Sequence, residues 1–267
     1  VSIILRSTLF NIAFYVVLAV YLIAAIPTFL LPHSAIIAVA KSWGRTSLRL
    51  LRWICNIDVE FRGLEKIPPG SLLVASKHQS AWETFALFTL FDDPAFILKR
   101  ELQWLPFFGW YTIKARMIPV NRGKGGQVMA DMIARARAEF VRGRQLLIFP
   151  EGTRRPVDAA PRYKFGAANL YAECGVPCLP VALNSGLFWP RRTFRRYPGT
   201  VRVEILDPIA PGLPREEFFE RMSAAIEDAS RRLIAQGRHD LDDAHIVRPP
   251  DDRTETEGDA AGNGSAL

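Results

Sequence analysis

Leu72-Leu73-Val74-Ala75-Ser76-Lys77-His78-Gln79-Ser80-Ala81-Trp82-Glu83 is the stretch on which both fold and chemistry turn. Its first four residues are an unbroken apolar run, the pattern of a short strand buried on both faces. His78 follows that run closely, and the Glu83 carboxylate comes five residues later. An imidazole at a strand end with a carboxylate near it can form a base and its orienter. A second run, Leu146-Leu147-Ile148-Phe149, leads into Pro150-Glu151-Gly152-Thr153-Arg154. It again sets polar groups at a strand end. In open α/β sheets, sites gather beyond the strand ends, so two such ends predict one shared site.

Working outward, the same alternation continues. Strand-like runs fall at 59–61, 72–75, 95–98, 117–120, 146–149, 178–183 and 201–206. Helical spacing falls between them at 84–91, 127–142, 164–173 and 215–236. Alternating strands and helices predict an α/β fold, a mostly parallel mixed sheet flanked by helices. There is no internal repeat.

Residues 8–31 are nearly all apolar, with Asn11 the strongly polar exception. A bilayer core takes roughly 20 such residues, so we expect a retained membrane helix, kinked near Pro27. The rival reading is a cleaved signal peptide. It needs a shorter apolar core and a better cleavage site than Ala24-Ala25-Ile26. In residues 35–57, Lys41, Arg45, Arg49 and Arg52 recur at helical spacing among Ile, Leu and Trp. That pattern suits a helix lying in an anionic interface and favours a cytoplasmic side. We therefore divide the chain into a membrane-associated helical segment (1–57), a globular domain (58–238) and an acidic tail (239–267) without a core of its own. We expect the first segment to anchor the protein and take no part in chemistry.

The formal charge of +7 over 267 residues makes the protein basic. Such surfaces meet nucleic acid, anionic membranes or acidic substrates, and nothing here resembles a nucleic-acid motif. Three cysteines, Cys55, Cys174 and Cys178, are too few for a disulfide framework and suit a reducing compartment. Gly175 and Pro177 put a turn between Cys174 and Cys178, and no His or Cys stands at zinc-ligand spacing.

Four blocks in order resemble the glycerolipid acyltransferase family. His78 and Glu83 fill a first block of His, four residues and an acid, with Glu where Asp is usual. Met117-Ile118-Pro119-Val120-Asn121-Arg122 looks like the second. Phe149-Pro150-Glu151-Gly152-Thr153 matches the third in full and is followed by Arg154. Val176-Pro177-Cys178-Leu179-Pro180-Val181 looks like the fourth. The resemblance covers about residues 58 to 210.

It implies acyl transfer to a substrate hydroxyl, with His78 as base and Glu83 as its orienting carboxylate. Ser80 gets no role, because the family implies no acyl-serine. The implied acceptor is lysophosphatidate and the product phosphatidate, in phospholipid synthesis at the inner membrane. The donor is acyl-CoA or acyl carrier protein, used as substrate; no metal or bound cofactor is implied. Lys99, Arg122 and Arg154 are the expected phosphate contacts. Gly152 and Thr153 join them as substrate-binding residues, and Glu151 would orient a base or meet the glycerol hydroxyl. The aromatic stretch 104–111 would wall an acyl groove, face the bilayer or fill the core. The same signature would also serve an enzyme for another lyso-lipid, such as lyso-ornithine lipid. A non-catalytic membrane-interaction protein that kept the fold is the remaining reading.

Overall fold

The computed structural model describes residues 2–121, 126–243 and 246. Seven strands form one sheet: β1 (Ile57–Arg62), β2 (Leu72–Ser76), β3 (Pro94–Lys99), β4 (Ile118–Val120), β5 (Gln145–Ile148), β6 (Cys178–Leu183) and β7 (Gly199–Ile205). Their order is β1-β7-β6-β2-β5-β3-β4. All neighbouring pairs are parallel except β6 and β7. This is the mixed, mostly parallel sheet read from the alternation, and every expected strand is present. β2 lies at the centre and pairs directly with β5, Ala75 opposite Ile148. The two strand ends singled out in the sequence are therefore next to each other.

Both faces of the sheet are covered, which is why β2 reads as a continuous apolar run. Leu72 and Val74 face one core with Trp82, Phe85, Leu179 and Val181. Leu73 and Ala75 face the other with Met132, Phe140, Ala167 and Phe218. The helices are α1 (Ile3–Ala24), α2 (His33–Leu50), α3 (Trp82–Ala86), α4 (Phe108–Lys114), α5 (Gly126–Phe140), α6 (Gly166–Cys174), α7 (Ser185–Phe188) and α8 (Arg215–Asp243). The helix expected at 84–91 is α3 followed by a 3-10 turn, Leu87–Thr89.

Ile3–Leu30 is long and apolar enough to cross a membrane by length and composition. One face of α1 nevertheless packs on the domain. Phe10 is fully buried and meets the Trp189 ring edge-on at 5.5 Å. Phe14 joins Trp43, Phe85 and Trp189 at 5.7, 6.0 and 5.8 Å between ring centroids. Asn11 explains itself here: its side chain accepts from Arg196 and donates to Phe194 O. A polar group on an apolar helix faces protein, where it finds partners. α2 approaches α3 closely at Gly44, where a Cβ would stand 2.9 Å from Phe85 O.

α8 runs to Asp243, beyond the residue at which we expected the acidic tail to begin. Asp240 pairs with Arg202 at 2.6 Å, and Leu241 is buried. Acidic composition hid a helix end held by one cation and one apolar contact. Residues 244, 245 and 247–267 of the tail lie outside the described residues. Cys174 closes α6 and Cys178 opens β6 across a turn at left-handed Gly175. All three thiols are free, and burial pushes each above its ordinary pKa, Cys55 to about 11.

Candidate active site

His78 Nδ1 lies 3.0 Å from Glu83 Oε1. Facing a carboxylate, Nδ1 carries the proton, which leaves Nε2 unprotonated and able to act as base. The imidazole stacks on Phe149, centroids 3.9 Å apart and planes 14° from parallel. The parallel register of β2 and β5 creates that contact. A ring held by stacking on one face and a carboxylate at one nitrogen has little freedom to turn.

Glu83 is fully buried. Its Oε1 also accepts from Gln79 N at 2.6 Å and Ser80 N at 2.7 Å, and its Oε2 accepts from Ser185 Oγ at 2.8 Å. Ser80 Oγ in turn accepts from Trp82 N at 2.8 Å. Ser80 and Glu83 thus form a capping box, in which the acid three residues on reaches back to the capping residue's N–H. One carboxylate thus both takes the N–H groups just ahead of α3 and contacts His78 Nδ1. The Ser-x-x-Glu spacing was legible in the sequence and went unread there. Ser80, without chemistry on the earlier reading, has a capping role.

Glu151 turns away from the catalytic face. Its carboxylate is buried, accepts from His78 N at 3.0 Å and lies 3.4 Å from Lys77 Nζ. Burial pushes the carboxyl above its ordinary range, against the pull of the Lys77 ammonium and the His78 N–H. Lys77 also meets Glu227 of α8 at 2.5 Å, and Tyr163 OH donates to the same oxygen at 2.7 Å. Glu151 Oε1 holds the backbone of His78, and Glu151 is not among the residues that line the cavity. Lys77, Tyr163 and Glu227 were missed because they belong to three separate segments and no spacing connects them.

His78 opens into a cavity of about 940 Å³. Lys99, Asn121, Gly152, Thr153, Arg154 and Lys164 are among the residues that line it. Lys99 is also paired with Glu101 at 3.1 Å. Arg122 lies outside the described residues. The rest of the wall is mostly apolar: Leu18, Leu22, Ala25, Ile36, Val39 and Trp43 of the N-terminal segment contribute to it, together with Phe85, Phe88 and Phe96 of the domain. The segment expected only to anchor the protein thus also supplies part of the cavity wall. The aromatic stretch divides: Phe108 and Tyr111 line the cavity, as does Leu102 just before it. Trp104, Phe107 and Trp110 are at least half exposed.

A largely buried His–Glu pair beside a mostly apolar cavity with exposed cations on its wall is an arrangement suited to acyl transfer. Residues 58–184 match the family model described as Acyltransferase. The 1-acyl-sn-glycerol-3-phosphate acyltransferase of Pseudomonas aeruginosa is 35% identical over 198 residues, 74% of this chain and 76% of that one. The 1-acyl-sn-glycerol-3-phosphate acyltransferase alpha of Homo sapiens is 28% identical over 201 residues, 73% of this chain and 71% of that one. The crystal structure of a 1-acyl-sn-glycerophosphate acyltransferase from Thermotoga maritima has the same fold. Its TM-score is 0.73 at 22% identity, covering 87% of this chain and 98% of that chain. The chain belongs to the glycerolipid acyltransferase family and is an O-acyltransferase of lipid biosynthesis.

Proposed function

We propose that the protein moves an acyl chain from an acyl thioester to the sn-2 hydroxyl of 1-acylglycerol 3-phosphate, forming phosphatidate. The thioester is carried by coenzyme A or acyl carrier protein. The observation that carries this reading is the His78–Glu83 pair, with His78 on the wall of a mostly apolar cavity that also carries the exposed cations Lys99, Arg154 and Lys164. His78 Nε2 takes the hydroxyl proton as the oxygen attacks the thioester carbonyl. The tetrahedral oxyanion collapses, and the C–S bond breaks. The departing thiolate receives the proton from the imidazolium, so His78 returns neutral. Glu83 stays ionised throughout and stabilises the imidazolium, as the acid of a hydrolase triad does. Thr153 and Arg154 have backbone N–H groups without a partner among the described residues, and they are our oxyanion donors. Base, orienter and cations are all side chains, and the reading assigns no metal or resident cofactor. The relatives named for this acceptor support its identity.

The reading sets the enzyme at the inner membrane, catalytic domain on the cytoplasmic side, and exposed Arg45, Arg49 and Arg52 on and just beyond α2 support that side. α1 is about 33 Å long at ~1.5 Å per residue, but its inner face is committed to the domain. Insertion of its outer face into one leaflet fits this packing better than a free-standing span. The test is a purified assay with lysophosphatidate and each donor in turn. Phosphatidate is the expected product. Acylation of another lyso-lipid, such as lyso-ornithine lipid, with no phosphatidate from either donor would overturn the acceptor. No thioester consumption with any lyso-lipid would overturn the enzyme.

A further inference from the structure

Lys164 belongs to none of the four sequence blocks, yet the fold delivers it to the site. Tyr163 beside it is tethered to Glu227, and the Lys164 backbone N–H donates to Pro150 O at 2.8 Å. The Lys164 side chain then crosses Gly152. A Cβ on Gly152 would stand 3.1 Å from its Cδ and Cε and 3.2 Å from Nζ, at a φ of +70° that disfavours any side chain. The glycine of the third block thus leaves room for this lysine. Lys164 lines the same cavity as His78, Thr153 and Arg154. Neither Lys164 nor Arg154 has a carboxylate partner among the described residues, whereas Lys99 is held by Glu101 at 3.1 Å. Both cations are exposed at the mouth, where a headgroup enters from water.

We propose that Lys164 is a second phosphate-binding cation, acting with Arg154 to select a phosphomonoester acceptor over a phosphodiester or phosphate-free lyso-lipid. This rests on the lysophosphatidate reading above. A phosphomonoester carries about −1.5 to −2 charge at pH 7. A guanidinium takes two of its oxygens in a fork, and an ammonium adds a point charge. A phosphodiester carries a single negative charge and gains less from the second cation.

The experiment measures Lys164→Met and Lys164→Arg with lysophosphatidate, lysophosphatidylethanolamine and monoacylglycerol at fixed donor, with a melting curve beside each. For Lys164→Met we expect KM for lysophosphatidate to rise roughly tenfold or more while kcat stays within about twofold, the pattern of lost ground-state binding. KM for the other two acceptors should move less than about twofold, and Lys164→Arg should recover most of the loss. A KM change equal for all acceptors, or a lower melting temperature without a change in preference, would make Lys164 a brace for the Gly152 turn and overturn the proposal. Unchanged KM for lysophosphatidate would do the same. If the unmodified enzyme rejects lysophosphatidate and acylates another lyso-lipid, the acceptor reading itself has failed.

Discussion

At the scale of single residues, the site is a competition for one carboxylate. Glu83 serves His78, two backbone N–H groups and Ser185 at once. His78→Ala should lower kcat by about 10²–10⁴-fold, the usual contribution of a positioned base. Its melting temperature should change little, because the ring is replaced at the cavity wall; a variant keeping half its activity would remove His78 from the mechanism. Glu83→Asp is the finer test. Asp is one methylene shorter and cannot span from the capping N–H groups and Ser185 to Nδ1. We expect kcat to fall and the melting temperature to fall with it, since a lost cap costs about 0.5–2 kcal/mol. Glu83→Gln keeps an oxygen for the cap but not the charge that stabilises imidazolium. It should therefore lose more kcat and less stability than Glu83→Asp. The reverse order in kcat would make Glu83 a cap alone. The His78–Glu83 contact and the place of Arg154 on the cavity wall were legible because each residue sits in a local block beside a strand. Lys77 and Lys164 were not, since surface and site lysines look alike until the fold says what lies opposite.

At the scale of elements, α8 and α1 each do more than their composition announced. α8 supplies Glu227, which holds Lys77 and Tyr163 on either side of the catalytic loop. Glu227→Gln should leave the fold intact and loosen the His78 backbone through Lys77. We expect kcat to drop several-fold with KM little changed, and a fall in KM-specific binding alone would contradict the positioning role. α1 has two faces. Leu5, Leu9, Ile12 and Val16 form one stripe, each more than half exposed, while Phe10 opposite is fully buried. Changing these four to Gln should move the protein from membranes to the soluble fraction without lowering its melting temperature. Activity on a short-chain soluble lyso-lipid should survive. Unaltered membrane retention would shift the anchor to Trp53 or the exposed aromatics around α4. Deleting residues 1–57 would not test anchoring alone. It would remove Phe10, Leu51, Cys55 and Ile57 from the main core, and a buried Phe alone is worth about 3–5 kcal/mol.

At the scale of the whole molecule, a buried charge cluster ties the N-terminal segment to the sheet. Arg144 is almost fully buried and pairs with Glu139 at 2.7 Å and Asp93 at 2.9 Å. Asp93 also meets His33, at the start of α2, at 2.9 Å. Burial pushes Asp93 up, but the hydrogen bond from His33 and the Arg144 guanidinium outweigh it and hold the carboxyl below its ordinary range. A depressed carboxyl contributes stability above its unfolded pKa, near 3.9, and loses it as pH falls through the lower folded value. The unmodified protein should thus lose melting temperature below about pH 4, and Asp93→Asn should show a smaller loss there. Parallel slopes for both proteins would show that this cluster does not carry the acid sensitivity. The α/β class, all seven strands, the four blocks and the contact between His78 and Glu83 were determined by the sequence alone. Those features are local, written in runs of apolar residues and in groups placed within a few positions of a strand end. Only the tertiary structure decided that β2 and β5 are neighbours, that the N-terminal helices wall the acyl cavity, and that Glu151 faces inward. It also decided which lysines meet the site. Pairings of that kind join residues tens of positions apart, and they exist only once burial of apolar surface has chosen which elements lie together.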